Sequence, residues 1–165
     1  MPDDALPVEI GLGLGSNIGD KPANISRALA LLEEHGALEV MRVSSIYRTL
    51  PWGYLDQDVF ANACALAKTR LSPAELLAAV KAVETEMGRK ETVRWGPRLI
   101  DIDILFYGDD ELATEDLILP HRELFNRAFV LMPLAEIAPD LRVGGRAIGV
   151  AAANLWAEGV EKWER

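Results

Sequence analysis

The stretch Leu99-Ile100-Asp101-Ile102-Asp103-Ile104-Leu105-Phe106 constrains the fold more than any other part of the chain. β-branched and aromatic residues dominate it, so it reads as a strand, and it follows a turn signal at Gly96-Pro97. Side chains at i and i+2 of a strand share a face, which points Asp101 and Asp103 the same way, roughly 6–7 Å apart along the chain. Ile100, Ile102, Ile104 and Phe106 then take the opposite face as a core surface. Such a strand suits a sheet with one face covered and one face polar. Alone, the two aspartates fit a solvated face. Like charges side by side repel unless a cation sits between them. Arg94 and Arg98 stand just upstream, where they can reach polyphosphate oxygens. Carboxylates with open coordination positions, together with arginine, are the recurring composition of phosphoryl-transfer sites.

The rest of the chain supplies the partners of that strand. Val8, Ile10, Leu12 and Leu14 alternate with Glu9, Gly11 and Gly13, a strand whose second face is nearly bare and open to close approach. Ser16 stands where a dinucleotide fingerprint needs its last glycine, and no G-x-x-x-x-G-K-[ST] loop occurs. A helix is expected next, with Asp20 as N-cap, Pro22 in the first turn, an apolar face of Ile25, Ala28, Leu29 and Leu32, and Gly36 at its end. Leu38 to Thr49 reads as one second strand and Val59 to Lys68 as a third. In the third, Val59, Ala61, Ala63, Ala65 and Ala67 form a small-residue face suited to helix packing; Phe60, Asn62, Cys64 and Leu66 form the other. A ring and an amide on one face can hold a flat heterocycle, or they can belong to an ordinary half-buried strand.

Ser72-Pro73-Ala74-Glu75 starts a second helix with a capping box and Pro at its first position. Glu84 falls on that helix's apolar face, between Val80 and Met87, where a carboxylate needs a partner or a role. Past the aspartate strand come a turn at Gly108, the basic residues His121, Arg122 and Arg127, and a short helix capped by Asn126 that Pro133 kinks or ends. A hairpin around Gly144-Gly145 and a short helix near Val150 to Trp156 follow. The order strand, helix, strand, strand, helix, strand predicts an α+β, ferredoxin-like βαββαβ sandwich. Its antiparallel sheet would carry helices on one face and the active site on the other, with a C-terminal extension.

At 165 residues the chain reads as a single domain over 1–165. A net charge of −9 argues against nucleic-acid binding, so any anionic ligand needs a local basic patch. The single cysteine, Cys64, excludes an internal disulfide framework and fits a reducing compartment. Met1-Pro2-Asp3-Asp4 lacks the basic-then-apolar pattern of a signal peptide, and no apolar run is long enough to span a bilayer. A cytoplasmic monomer with no membrane association is expected.

Several motifs, taken together, carry a resemblance. They are Gly15-Ser16-Asn17, Val43-Ser44-Ser45-Ile46-Tyr47-Arg48-Thr49, Asn62-Ala63, Arg94-Trp95-Gly96-Pro97-Arg98 with Asp101-Ile102-Asp103-Ile104, Pro120-His121, and Arg127-Ala128-Phe129 with Pro133-Leu134. Over nearly its whole length the chain resembles the 6-hydroxymethyl-7,8-dihydropterin pyrophosphokinases of folate biosynthesis. The resemblance implies transfer of pyrophosphate from ATP to the pterin hydroxymethyl group with release of AMP. It implies that Asp101 and Asp103 hold two Mg²⁺ ions and act in catalysis with Arg89 and Arg98. It places Thr49, Trp52, Phe60, Asn62 and Phe129 around the pterin, with Phe60 and Phe129 sandwiching the ring. It assigns the nucleotide to Glu84, Arg94, Trp95, Ile104, His121, Arg122 and Arg127. The chain departs from the family pattern at Phe60, where some members carry Tyr, and in a shortened stretch between Arg89 and Arg94. A non-catalytic ferredoxin-like regulator that binds a small heterocycle is the alternative; it leaves the aspartates and arginines without work.

Overall fold

The computed structural model describes residues 6–49, 59–88, 99–155 and 159–163. In chain order the elements are β1 (Val8–Ser16), α1 (Lys21–Glu34), β2 (Glu39–Val43), β3 (Tyr47–Thr49), β4 (Phe60–Thr69), α2 (Pro73–Glu86) and β5 (Asp101–Tyr107). Then come β6 (Leu112–Ala113), β7 (Ile118–Leu119), α3 (Ala128–Ile137), β8 (Arg142–Val143), β9 (Arg146–Ala147), α4 (Ile148–Asn154) and β10 (Val160–Lys162). The main sheet runs β10-β3-β4-β1-β5, with β2 also paired to β4, and its pairings are antiparallel. Its two longest strands, β1 and β4, lie side by side at the centre and bring distant parts of the chain into register.

Small residues on β4 make this possible. Ala61, Ala63, Ala65 and Ala67 join Ile10, Leu12 and Leu14 of β1 in one core cluster beneath α1 and α2. Alanine lets a helix approach the sheet closely, while the large side chains of Ile25, Leu32, Leu76 and Val80 fill the space from above. Both helices start as expected. Asp20 Oδ1 accepts from Ala23 N at 3.2 Å, and Ser72 and Glu75 form a reciprocal capping box.

Four expectations need correction. The strand expected over 38–49 is two strands, because Ser44 takes over backbone pairing: its Oγ accepts from Cys64 N at 2.9 Å and donates to Ser45 O at 2.7 Å. Serine competes with the ladder in this way wherever its hydroxyl reaches the chain. Phe106 does not share a face with Ile104. The ladder to β1 shifts register, pairing Ile104 with Leu12 but Phe106 with Gly11, so Leu105 is extra. Past this bulge Leu105 and Phe106 enter a second cluster on the other face.

Nor are helices confined to one face. α3 and α4 build that second cluster, in which Val130, Leu131, Leu134 and Ile148 pack on Cys64, Leu66, Leu105 and Phe106. Finally, α3 neither starts on Asn126 nor stops at Pro133. Its N-cap is Arg127, with no side-chain cap bond, and it continues through Pro133 to Ile137. Burial of Val130, Leu131, Leu134 and Ile137 against the sheet outweighs the one backbone bond that proline removes.

Candidate active site

α3 packs on the second face, and five residues singled out from the sequence, Thr49, Phe60, Asn62, Asp101 and Asp103, share that face. The strand registers place them in rows. Tyr47 pairs with Asn62, Asn62 with Gly15, and Gly15 with Asp101. One step along β1, Cys64 pairs with Gly13 and Gly13 with Asp103. Thr49 pairs with Phe60 at the end of β4. Directly paired residues share a face, so the amide of Asn62 and the carboxylate of Asp101 stand on one surface, two strand spacings or roughly 10 Å apart. Only a glycine separates them.

Each end of that surface is held. Asn62 and Thr49 are both buried, and Asn62 Nδ2 donates to Thr49 Oγ1 at 2.8 Å. At the other end, Asp101 and Asp103 are partly exposed on β5. His121 Nε2 lies 3.9 Å from Asp103 Oδ2. Two contacts hold the residue: the His121 backbone N donates to Leu105 O at 2.8 Å, and Glu123 N donates to the ring Nδ1 at 3.0 Å. An Nδ1 that accepts leaves the proton of the neutral ring on Nε2, the atom facing Asp103. In the row of Asp103, Cys64 is fully buried, and that burial, with the charge of Asp103 added, pushes its thiol pKa well up. It is a packing residue here, not a nucleophile.

The two aspartates fit a small divalent cation. Among the described residues no group of three or more His, Cys, Asp or Glu encloses a possible metal position. Two carboxylates alone leave most of an octahedral shell to water and phosphate oxygens, which is how Mg²⁺ is held at nucleotide sites.

Residues 11–139 match the family model described as 7,8-dihydro-6-hydroxymethylpterin-pyrophosphokinase. The chain belongs to this family. Relatives named 2-amino-4-hydroxy-6-hydroxymethyldihydropteridine pyrophosphokinase agree over nearly full length. That of Methylorubrum extorquens is 48% identical over 153 residues, which is 93% of this chain and 97% of the relative. That of Bacillus subtilis is 44% identical over 154 residues, 93% and 89% respectively. Among solved structures, a Plasmodium falciparum HPPK-DHPS variant with pterin and p-hydroxybenzoate superposes with a TM-score of 0.75 at 15% identity. The match covers 98% of this chain and 48% of that one, so the chain spans just under half of its neighbour, and the likeness concerns the fold.

Glu84 is buried at the end of α2, and its Oε2 accepts from Ile102 N at 2.8 Å. It thus ties down the outer edge of β5 at the peptide between the two aspartates. Ile104 is buried in the core under α1 and α2. Arg122 is exposed in the loop after His121, and Arg127 sits at the head of α3 with its guanidinium 5.6 Å from the centroid of the Phe129 ring. Phe129, in the first turn of α3, packs on the second cluster and remains partly exposed, as does Phe60. Trp52, Arg89, Arg94, Trp95 and Arg98 lie outside the described residues.

Sequence reasoning missed two contributors. Gly15 lies between the amide and the carboxylate, and a side chain there would meet Asn62 Oδ1 at 3.0 Å. Glu136, near the end of α3, accepts from Tyr47 Oη at 2.7 Å and from Ser45 Oγ at 2.9 Å. A lone carboxylate in the apolar run Ala128–Ile137 was the available signal, of the same kind as Glu84.

Proposed function

We propose that the face bounded by Asn62 and Asp101 is where this chain transfers pyrophosphate from ATP to the hydroxymethyl group of 6-hydroxymethyl-7,8-dihydropterin, releasing AMP, in folate biosynthesis. Relatives at 44–48% identity over most of the chain support that reaction. They give no support to the non-catalytic regulator. The single observation that carries the placement is the row Thr49 and Asn62, Gly15, Asp101, with Asp103 one step away.

A pterin is flat and edged with donors and acceptors. Phe60 and Phe129 offer rings from the sheet and from α3, and the Asn62 amide, held by Thr49, offers a donor and an acceptor at the ring's edge. Trp52 would line the same pocket. Asp101 and Asp103 would hold Mg²⁺, two ions by the family pattern, which neutralises polyphosphate charge and orients the reacting phosphate. His121 presents its Nε2–H beside Asp103, placed to donate to a phosphate oxygen. Arg122, Arg127 and the arginines at 89, 94 and 98 supply the rest of the positive charge that a −9 protein must collect locally. The pterin hydroxyl must reach the β-phosphorus in line with departing AMP, so positioning and charge neutralisation supply most of the rate enhancement. Glu84 contributes by fixing the β5 backbone, with Trp95 and the Ile104 backbone completing the nucleotide side.

The sheet supports a ferredoxin-like reading, because counting β2 and β3 as one strand the order is second, third, first, fourth, all antiparallel. Since β1 and β10 both belong to that sheet, residues 1–165 are read as one domain. The test is AMP formation from Mg·ATP with and without 6-hydroxymethyl-7,8-dihydropterin. Pterin-dependent AMP with no ADP is expected; absence of AMP from folded protein with both substrates would refute the proposal.

A further inference from the structure

We infer that Glu136 is a positioning residue for the pterin half of the site, an inference that rests on the function proposed above. Its carboxylate is engaged on both oxygens. Oε1 accepts from Tyr47 Oη at 2.7 Å and Ser45 N at 3.2 Å, and Oε2 accepts from Ser45 Oγ at 2.9 Å and Ser45 N at 3.1 Å. Arg42 Nη1 closes the same end of the helix by donating to Ile137 O at 3.1 Å. The C-terminal turn of α3 is therefore tied to the break between β2 and β3.

The consequence lies two turns away. Phe129 and Glu136 are seven residues apart on one helix, roughly 10 Å along its axis and on nearly the same side. Tyr47, which grips Glu136, pairs directly with Asn62. One carboxylate thus links the helix that bears Phe129 to the strand that bears Thr49 and lies beside Asn62. Across Pro133 both turns of α3 are held by burial of Val130, Leu131, Leu134 and Ile137, so the rotation and lateral position of the helix at Glu136 carry over to the Phe129 ring.

The ATP half is held by other means. Asp101 and Asp103 are placed by β1 and by Glu84, and His121 by Leu105 O and Glu123 N. Arg127 precedes the first turn of α3 in extended backbone, and its long side chain can follow a phosphate through a small shift. A ring stacked on a flat ligand cannot. Loosening the clamp should therefore weaken pterin binding and spare the nucleotide.

The test measures equilibrium affinity for 6-hydroxymethyl-7,8-dihydropterin, and for a non-hydrolysable ATP analogue with Mg²⁺, in wild type, Glu136→Gln and Tyr47→Phe. Glu136→Gln removes the charge and turns an amide donor towards Ser45, and about a tenfold loss of pterin affinity is expected. Tyr47→Phe removes one hydrogen bond, and about a threefold loss is expected. Analogue affinity should stay within about twofold, and kcat at saturating pterin within about threefold, of wild type. Equal losses for both ligands would mean general loosening and overturn the inference, as would unchanged pterin affinity in both variants. Should Glu136→Gln fail to fold, Tyr47→Phe decides alone. Wild-type protein that makes no pterin-dependent AMP overturns the function itself; active wild type with indifferent variants overturns only the clamp.

Discussion

Gly15→Ala offers a direct test of the site's geometry, because it separates folding from binding. A methyl group at this position would sit 3.0 Å from Asn62 Oδ1, 3.8 Å from Ala61 O and 4.0 Å from Phe60 Cδ1. The first contact is too short by a few tenths of an ångström, so the amide must turn. It is not free to do so without cost, since its Nδ2 is bonded to Thr49 Oγ1 at 2.8 Å in a buried setting. Weakening that bond costs about 1 kcal/mol. Replacing glycine by alanine in a strand returns about 0.5–1 kcal/mol of backbone entropy. Folding stability should then change by less than about 1 kcal/mol, and Tm by less than about 4 °C for a chain of this size.

Pterin binding should respond far more. The amide would be mis-aimed, and a ligand edge desolvated without its partner costs about 1–3 kcal/mol, or about 5- to 150-fold in affinity. A thermal melt alongside equilibrium pterin binding decides the matter. Pterin affinity equal to wild type would refute the reasoning, since the amide could not have been both displaced and important.

Gly11→Ala should do the opposite. Its Cβ would meet Phe106 Cε1 at 2.3 Å, and the buried ring must move by about 1 Å, an overpacking cost of about 1–3 kcal/mol that should appear as a clear fall in Tm. An unchanged melt would show that the Phe106 ring is not packed as described. Asp103→Asn should keep the fold and Tm but lower pterin-dependent AMP formation by about 100-fold or more, and turnover near wild type would remove Asp103 from the cation site. Glu136 supplies a pH signature. Burial by itself would raise its pKa, but hydrogen bonds from Tyr47 and Ser45 outweigh this and hold it below 4.5. Its folded pKa being depressed, its stabilisation is full at neutral pH and lost as the pH falls through that lower value. The stability gap between wild type and Glu136→Gln should therefore close on acidification below 4.5, and a gap that widens in acid would contradict the sign. Cys64, buried with a raised pKa, should resist alkylation in the native protein and react only on unfolding, so prompt labelling near pH 8 would mean that α3 opens readily.

Much of this site was legible because its information is local. Asp101 and Asp103 announce a shared strand face through their spacing, and the alanines of β4 announce a face for helices through theirs. The Ser72 capping box and the Asp20 cap act within four residues and stand where the sequence puts them. Glu84 was recognisable as a carboxylate out of place, but its partner, the peptide N–H of Ile102, was not, since pairing a helix end with a sheet edge is a tertiary event. The bulge at Leu105 escaped notice for the same reason. It depends on a bare Gly11 in another strand, over which the Phe106 ring can lie.

By itself the sequence determined the apolar faces of β1, β4, α1 and α2, where those two helices begin, and which residue types are available for a cation, a polyphosphate and a flat ring. Those properties follow from periodicity and from side-chain chemistry. Only the tertiary structure decided that Asn62 and Asp101 share one surface, because register across β1 is set by which side chains pack together and not by distance along the chain. It also decided that α3 runs through Pro133, because buried area on the sheet outweighs one missing backbone bond. And it gave Glu136 its place, since a carboxylate finds its donors only when a helix and a strand break meet in space.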